Sequence, residues 1–234
     1  MRYYISDLHG GHGALNDKMD HRGFASADEM NRYMIKQWNR RVEEADEVMI
    51  LGDLFIGRAD EAETFIRKLK GKKYLITGNH DRFLKEPSFP RQLFEKITPY
   101  MEITDQKRKV ILSHYPLLFY HGQNWIKEDG EAVAYMLYGH VHDTQDEEIM
   151  QELIWRVKAH HREYRKISRE ISCNLINCFC MFSDYIPLTL DEWIETDRKR
   201  RALFRENTGF SSKQGEDIDG CKSLMLSAEK CGLY

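Results

Sequence analysis

The sequence predicts an α/β domain organised around parallel strands, and three observations lead there. Short apolar runs alternate with stretches of helical periodicity through the first third of the chain, the pattern of strand–helix–strand units with right-handed crossovers. Every such run stops at a cluster of polar, chemistry-bearing residues, and in open α/β sheets ligands gather outside the carboxyl ends of strands. At 234 residues with 41% hydrophobic content, the chain is long enough to bury one sizeable core.

The first run, RYYIS, ends at Asp7, Leu8 and His9. SADEMNRYMIKQWNRRV follows, and its Met30, Met34, Ile35 and Trp38 fall on one helical face. EVMIL then ends at Gly52 and Asp53; DEAETFIRKLK, with Ala62, Phe65, Ile66 and Leu69 on one face, is a second helix; and KKYLIT ends at Gly78, Asn79, His80 and Asp81. Two later runs, KVILS before His114 and AYMLY before Gly139, His140, Val141 and His142, read as further buried strands.

Beyond residue 142 the spacing of Ile149, Leu153, Val157, His160, Tyr164, Ile167 and Ile171 predicts one long helix over 145–171, opened by a Thr144–Glu147 capping box. Its acidic start and the basic end formed by Arg162, Arg165, Lys166 and Arg169 complement a helix dipole. CNLINCFCMFSDYIPLTLDEWI predicts two strands near Phe182 to Asp184, a stop at Pro187, and a helix capped by Thr189 and Glu192. The Arg198 to Arg201 basic run reads as a helix C-terminal charge cluster. We read one domain over 1–205, with 145–171 as an insertion, and a tail over 206–234 of little periodicity.

The net charge of −3 supplies no global basic field for long duplex nucleic acid or anionic membranes. The N-terminal sequence lacks a signal-peptide pattern, and no stretch nears the roughly 18 apolar residues of a spanning helix. These features make the cytoplasm the expected location. Five cysteines, all after residue 172 and without a C-x-x-C pair, read as reduced thiols.

The strand ends together offer Asp7, His9, Asp53, Asn79, His114, His140 and His142. Seven oxygen and imidazole donors exceed what one ion uses while leaving room for substrate, so they suit two divalent metals, with Asp53 as the natural shared ligand. His12, in a Gly-rich loop, and Arg82, beside the GNHD block, are candidate substrate contacts. The ordered blocks DLH, GD, GNHD, a lone His after an apolar run, and GHVH closely resemble the signature of calcineurin-like metallophosphoesterases over roughly residues 1–195.

That resemblance implies a four-layer αββα sandwich of mixed sheets flanked by helices, with a helical insertion after GHVH. It implies that Asp7, His9, Asp53 and His142 hold one metal and that Asp53, Asn79, His114 and His140 hold the other. Two cations about 3.5–4 Å apart lower the pKa of a bridging water and neutralise phosphoryl charge. His80 would be the general acid, with Asp81 or a neighbour setting its tautomer. Gly78 would let the chain turn at the strand end. Manganese is the expected metal, with iron, zinc or cobalt as alternatives.

The expected substrate is a small phosphoester, a phosphodiester ahead of a monoester, with walls at 10–16, 55–60, 115–129 and the insertion. A small nuclease acting on short oligonucleotides is the neighbouring alternative. A non-catalytic, metal-binding scaffold, in the manner of the retromer subunit that keeps this fold, is the alternative from another class. Trp125 and Trp155 leave room for a homodimer face.

Overall fold

The computed structural model describes residues 1–127, 132–164 and 167–208. Strand β1 (Arg2–Ile5) leads to α1 (Ala27–Asn39), β2 (Glu47–Ile50), α2 (Ala59–Ile66), β3 (Lys72–Ile76) and β4 (Lys96–Thr98). Then come β5 (Tyr100–Asp105), β6 (Arg108–Ser113), β7 (Ala134–Tyr138), α3 (Gln145–Ala159), β8 (His161–Tyr164), β9 (Ile167–Glu170), β10 (Leu175–Asn177) and α4 (Leu190–Thr208). One sheet has the order β1-β2-β3-β4 and is parallel throughout. The second has the order β10-β7-β6-β5, parallel except where β5 meets β6.

Alternation along the strands builds the layers. Tyr3, Ile5, Val48, Ile50 and Leu75 join Met30, Met34, Trp38, Phe65 and Ile66 in one core, so α1 and α2 cover one face of the first sheet. Their neighbours Tyr4, Met49, Leu51 and Ile76 point the other way and meet Val110, Leu112, Tyr135, Leu137 and Ile176 between the sheets. Ile111, Met136, Tyr138 and Leu175 face a third core that contains Ile154 of α3. Both faces of each central strand are buried, which explains why these strands read as unbroken apolar runs. The result is the four-layer αββα sandwich, with β8 and β9 forming a separate antiparallel pair.

β1 and β10 are edge strands of different sheets, and α4 spans them. Trp193, fully buried, donates from Nε1 to the carbonyl of Tyr4 at 2.8 Å, while Arg201 donates to the carbonyl of Leu175. Thr189 and Glu192 form the expected reciprocal cap: the Thr189 amide donates to the Glu192 carboxylate at 2.9 Å, and the Glu192 amide donates to Thr189 Oγ1 at 3.4 Å. The helix therefore closes the open side of the sandwich and covers polar edges.

The structure corrects four sequence expectations. The long helix over 145–171 stops at Ala159, and residues beyond it enter the β8–β9 pair, so Arg162 and Arg169 lie on strands. Its apolar stripe is not its buried face: Ile149 and Leu153 are exposed, whereas Glu147, Gln151 and Ile154 are buried. Glu147 does not complete a capping box; Thr144 Oγ1 accepts from the Asp146 amide, and the Glu147 carboxylate turns inward to accept from Tyr138, Gln151, Asn177 and Arg200. A buried carboxylate with four donors outweighed the periodicity.

The segment read as two strands near Phe182 instead holds β10 and a 3-10 turn, Cys180–Ser183. Helix α4 carries through Thr208, past the expected boundary at 205, and the remainder of the tail, with Cys221 and Cys231, lies outside the described residues. So do residues 128–129 of the expected wall over 115–129, and Arg165 and Lys166 of the expected basic end. Cys173, Cys178 and Cys180 are buried free thiols. No helix among the described residues is long and apolar enough to cross a membrane.

Because Trp193 fills the space between the sheets and also satisfies the Tyr4 carbonyl, Trp193→Ala should destabilise the fold by about 3–5 kcal/mol, read from urea unfolding midpoints. A loss below about 1 kcal/mol would mean that α4 is not a structural clamp.

Candidate metal centre

The carboxyl ends of β1, β2, β3, β6 and β7 converge, and the side chains that follow them gather there. Asp7, His9 and His142 form one buried group, and Asp53, His114 and His140 form a second, in which His140 is exposed. Within each group one ligand atom per residue lies within 4.8 Å of the others. Asn79 adjoins the second group, with Oδ1 3.0 Å from His114 Nε2. Asp53 lies between the two: its Oδ2 is 3.6 Å from His9 Nε2 and 3.4 Å from His114 Nε2. Its other oxygen accepts from the His80 amide at 2.7 Å.

Local backbone conformation aims these side chains. Asp7, His9, Asp53, His140 and His142 all have φ between 49° and 73°, the left-handed region that costs non-glycine residues on the order of 1 kcal/mol each. A strand running straight on would spread residues two apart by about 6–7 Å along one face; the left-handed turns curl the chain so that Asp7 and His9, and likewise His140 and His142, stay at the strand ends around one place. Glycines supply the clearance. A Cβ at Gly52 would collide with the His114 ring, one at Gly78 would lie 2.6 Å from the Asp53 amide nitrogen, and one at Gly139 would lie 2.7 Å from Ser6 Cβ and collide with the Asp7 carboxylate. Gly78 is thus needed for close approach at the strand-end turn, and its φ is not positive.

The donor set fits cations. His114 Nδ1 lies 2.8 Å from the Leu51 carbonyl, and His142 Nδ1 lies 2.8 Å from Asp20 Oδ1. Both partners only accept, so each Nδ1 carries a proton and each Nε2 presents a lone pair inward. His142 Nε2 then faces His9 Nε2 at 3.0 Å and Asp7 Oδ1 at 3.5 Å, while His114 Nε2 faces the Asn79 oxygen. Lone pairs converging without intervening donors require positive charge, and N/O sets of this kind suit first-row divalent ions.

The protein without metal shows the same demand through its titration. Burial opposes charge on His142, but hydrogen bonds and charges from Asp20 and Asp7 prevail and push it up to about 9. Burial likewise opposes the Asp53 carboxylate, yet His114, with help from His9 and the His80 amide, draws it down to about 2. Burial pulls His9 down to about 3. A cation bound here displaces protons, so its affinity rises with pH.

The remaining predicted residues line the rim. His12, His80 and Arg82 share a cleft of about 330 Å³ with Ile56 and Gly57. The half-buried His80 ring stands 5.4 Å from that of His9, edge to face. Arg82 is exposed at the start of a 3-10 turn and makes no ion pair among the described residues. Asp81 is a correction. Its carboxylate does not orient the His80 ring; it accepts from the amides of Asp53, Leu54 and Gly78 at 3.1, 2.8 and 2.8 Å. Burial lifts it to about 6 despite those amides, so Asp81 ties β2 to β3.

Sequence reading missed Asp20, Arg22, Asn177 and Phe179. Asn177 donates to the His142 carbonyl at 2.9 Å, and Phe179 stacks on the His142 ring at 4.6 Å. None of these follows an apolar run at a ligand-bearing strand end, the one signal that identified the seven ligand candidates.

Residues 2–158 match the calcineurin-like phosphoesterase superfamily domain, and the chain belongs to that superfamily. The Gene 66 protein of Mycobacterium phage L5 is 28% identical over 202 residues, which cover 75% of this chain and 93% of that protein. An uncharacterized protein of Methanocaldococcus jannaschii is 40% identical over 83 residues, 35% of this chain. That alignment spans 47% of the archaeal protein, about half its length. Among solved structures, a protein of unknown function from Aquifex aeolicus shares the fold, with a TM-score of 0.52 at 21% identity, covering 82% of this chain and 96% of that one.

Since one oxygen of Asp53 faces both groups, Asp53→Asn should weaken both metal positions together, read by metal content after dialysis; loss of one equivalent alone would remove the shared role. Gly139→Ala should displace the Asp7 carboxylate and lower metal content at the Asp7 position, with an unchanged content meaning that the chain relaxes around the added methyl.

Proposed function

We propose that the chain, as a member of the calcineurin-like phosphoesterase superfamily, is a dinuclear metal-dependent phosphohydrolase that favours phosphodiesters over monoesters. The observation carrying this reading is the pair of candidate ligand groups with Asp53 Oδ2 between them, beside a half-buried His80 that lies outside both groups. Two divalent cations there, manganese first among the candidates, would acidify water and neutralise phosphoryl charge.

The protein's own residues do the rest. Arg82, at the cleft mouth, grips non-bridging phosphoryl oxygens through its forked guanidinium. His80 protonates the departing oxygen; its backbone amide is anchored on Asp53, so the half-buried ring keeps a fixed reach at the cleft. His12 shares the cleft and supplies a second hydrogen-bonding ring. A diester is favoured because the cleft adjoins, across Ile56 and Gly57, which line both spaces, a groove of about 700 Å³ between α1 and α2. That groove accommodates a second organic substituent, which a monoester lacks.

Hydrolysis of bis-p-nitrophenyl phosphate and p-nitrophenyl phosphate, measured side by side with manganese, tests this. The diester should turn over faster, and His80→Ala should cut its kcat by about 10²–10⁴-fold while keeping two bound metals. Turnover of the monoester alone would overturn the diester preference. Metal loss in the variant would move His80 into the ligand set.

A further inference from the structure

Outside the ligand set, the loop between β1 and α1 carries a buried ion pair against the metal centre. The side chains of Asp20 and Arg22 are 2% and 0% exposed. Burying a guanidinium and a carboxylate carries a desolvation penalty and needs a full set of partners, and here the oxygen and nitrogen partners of both side chains are His142, the carbonyls of Asp7 and Leu8, and the pair itself, with Met30 Sδ 4.0 Å from Arg22 and the Tyr185 ring 5.8 Å from its guanidinium carbon. Asp20 Oδ1 accepts from His142 Nδ1 at 2.8 Å, and its Oδ2 accepts from Arg22 Nε at 2.9 Å. The two terminal nitrogens of Arg22 donate to the carbonyls of Leu8 at 2.6 Å and Asp7 at 3.0 Å. The Arg22 guanidinium also lies 5.8 Å from the Phe179 ring, which in turn stacks on His142.

We infer that Asp20 and Arg22 are positioning residues that build the Asp7–His9–His142 metal position and leave the other position untouched. Two consequences follow from the contacts. Asp20 fixes the His142 tautomer and, as an anion, raises the basicity of the inward Nε2; His114 in the other group hydrogen-bonds a neutral carbonyl from its Nδ1, with the nearest carboxylate oxygen among the described residues, Asp7 Oδ1, 4.0 Å from that nitrogen. Arg22 holds the carbonyls flanking the left-handed Asp7 and His9, so one side chain fixes both the turn at the end of β1 and the carboxylate behind His142. The two metal positions are therefore unequal by construction, the first being backed by a charged network.

This inference rests on the proposed metal-binding reading, and one experiment separates their failures. Metal-free protein is titrated with manganese alone, and with cobalt for its visible spectrum, in parent, Asp20→Asn and Arg22→Lys forms, alongside thermal unfolding of each metal-free form. In the parent, two equivalents should bind; if none bind, the metal-binding reading itself fails. In Asp20→Asn, one equivalent should keep its affinity and the other should weaken by about 10–100-fold, with the cobalt spectrum of that position changed. Arg22→Lys, which retains a cation but cannot span both carbonyls, should weaken the same equivalent. Equal weakening of both equivalents, or unchanged affinities, would overturn the inference. Should Asp20→Asn fail to fold, Asp20→Glu keeps the carboxylate and serves in its place, with the same one-equivalent outcome required.

Discussion

The structure depends on one electrostatic demand: acceptor atoms of seven side chains are driven together at the rim of a sandwich, largely out of water. Lone pairs at 3.0–3.6 Å from one another repel unless protons or cations sit between them, and burial magnifies that repulsion. The chain does not relieve it by splaying the ligands apart. It holds five of them in left-handed backbone conformations and removes the Cβ atoms that would stand in the way at Gly52, Gly78 and Gly139. Strain concentrated so closely on the residues that would hold metal marks the place where the fold gives up stability for function.

What offsets that cost lies behind the rim. Each central strand is buried on both faces, between α1 and α2 on one side and the second sheet on the other. The strand ends are consequently stiff platforms, and a left-handed turn set on a stiff platform points its side chain reproducibly. Two further ties reach the rim from the core. Asp81 pins the turns after β2 and β3 through three amides, and Asn177 at the end of β10 holds the His142 carbonyl while accepting from the Phe179 amide.

Much of this was legible in the sequence, and the reason is periodicity. Strands buried on both faces leave unbroken apolar runs, so β1, β2, β3, β6 and β7 could be read directly, and the ligand candidates with them. β4, β5 and β10 could not: β4 and β5 are edge strands that mix polar and apolar residues, and β10 is only three residues long. The insertion helix was read too long because Tyr164, Ile167 and Ile171 continue its spacing, although a local pattern cannot report that Glu147, and not Ile149, is the residue the core accepts. Asp20 and Arg22 were invisible for a related reason. Their role exists only once the ends of β1 and β7, which belong to different sheets, come together, 122 residues apart in sequence for the Asp20–His142 contact.

The four buried aspartates at the centre show why residue type alone underdetermines role. Asp7 and Asp53, besides accepting from the His140 and His80 amides, each turn an oxygen toward inward-facing imidazole nitrogens at 3.4–3.6 Å, which makes them ligand candidates. Asp81 spends both oxygens on backbone amides, and neutral donors leave it lifted to about 6 by burial. Asp20 spends its oxygens on an imidazole N–H and a guanidinium, and those cationic partners hold it below the ordinary carboxylate range against its own burial. A carboxylate at a strand end is thus a ligand, a staple or a counter-ion according to what its oxygens meet. The left-handed backbone separates the first class from the others here: Asp7 and Asp53 have positive φ, whereas Asp20 and Asp81 do not. Backbone conformation at the strand end, more than the acid itself, selects which carboxylates face the metals.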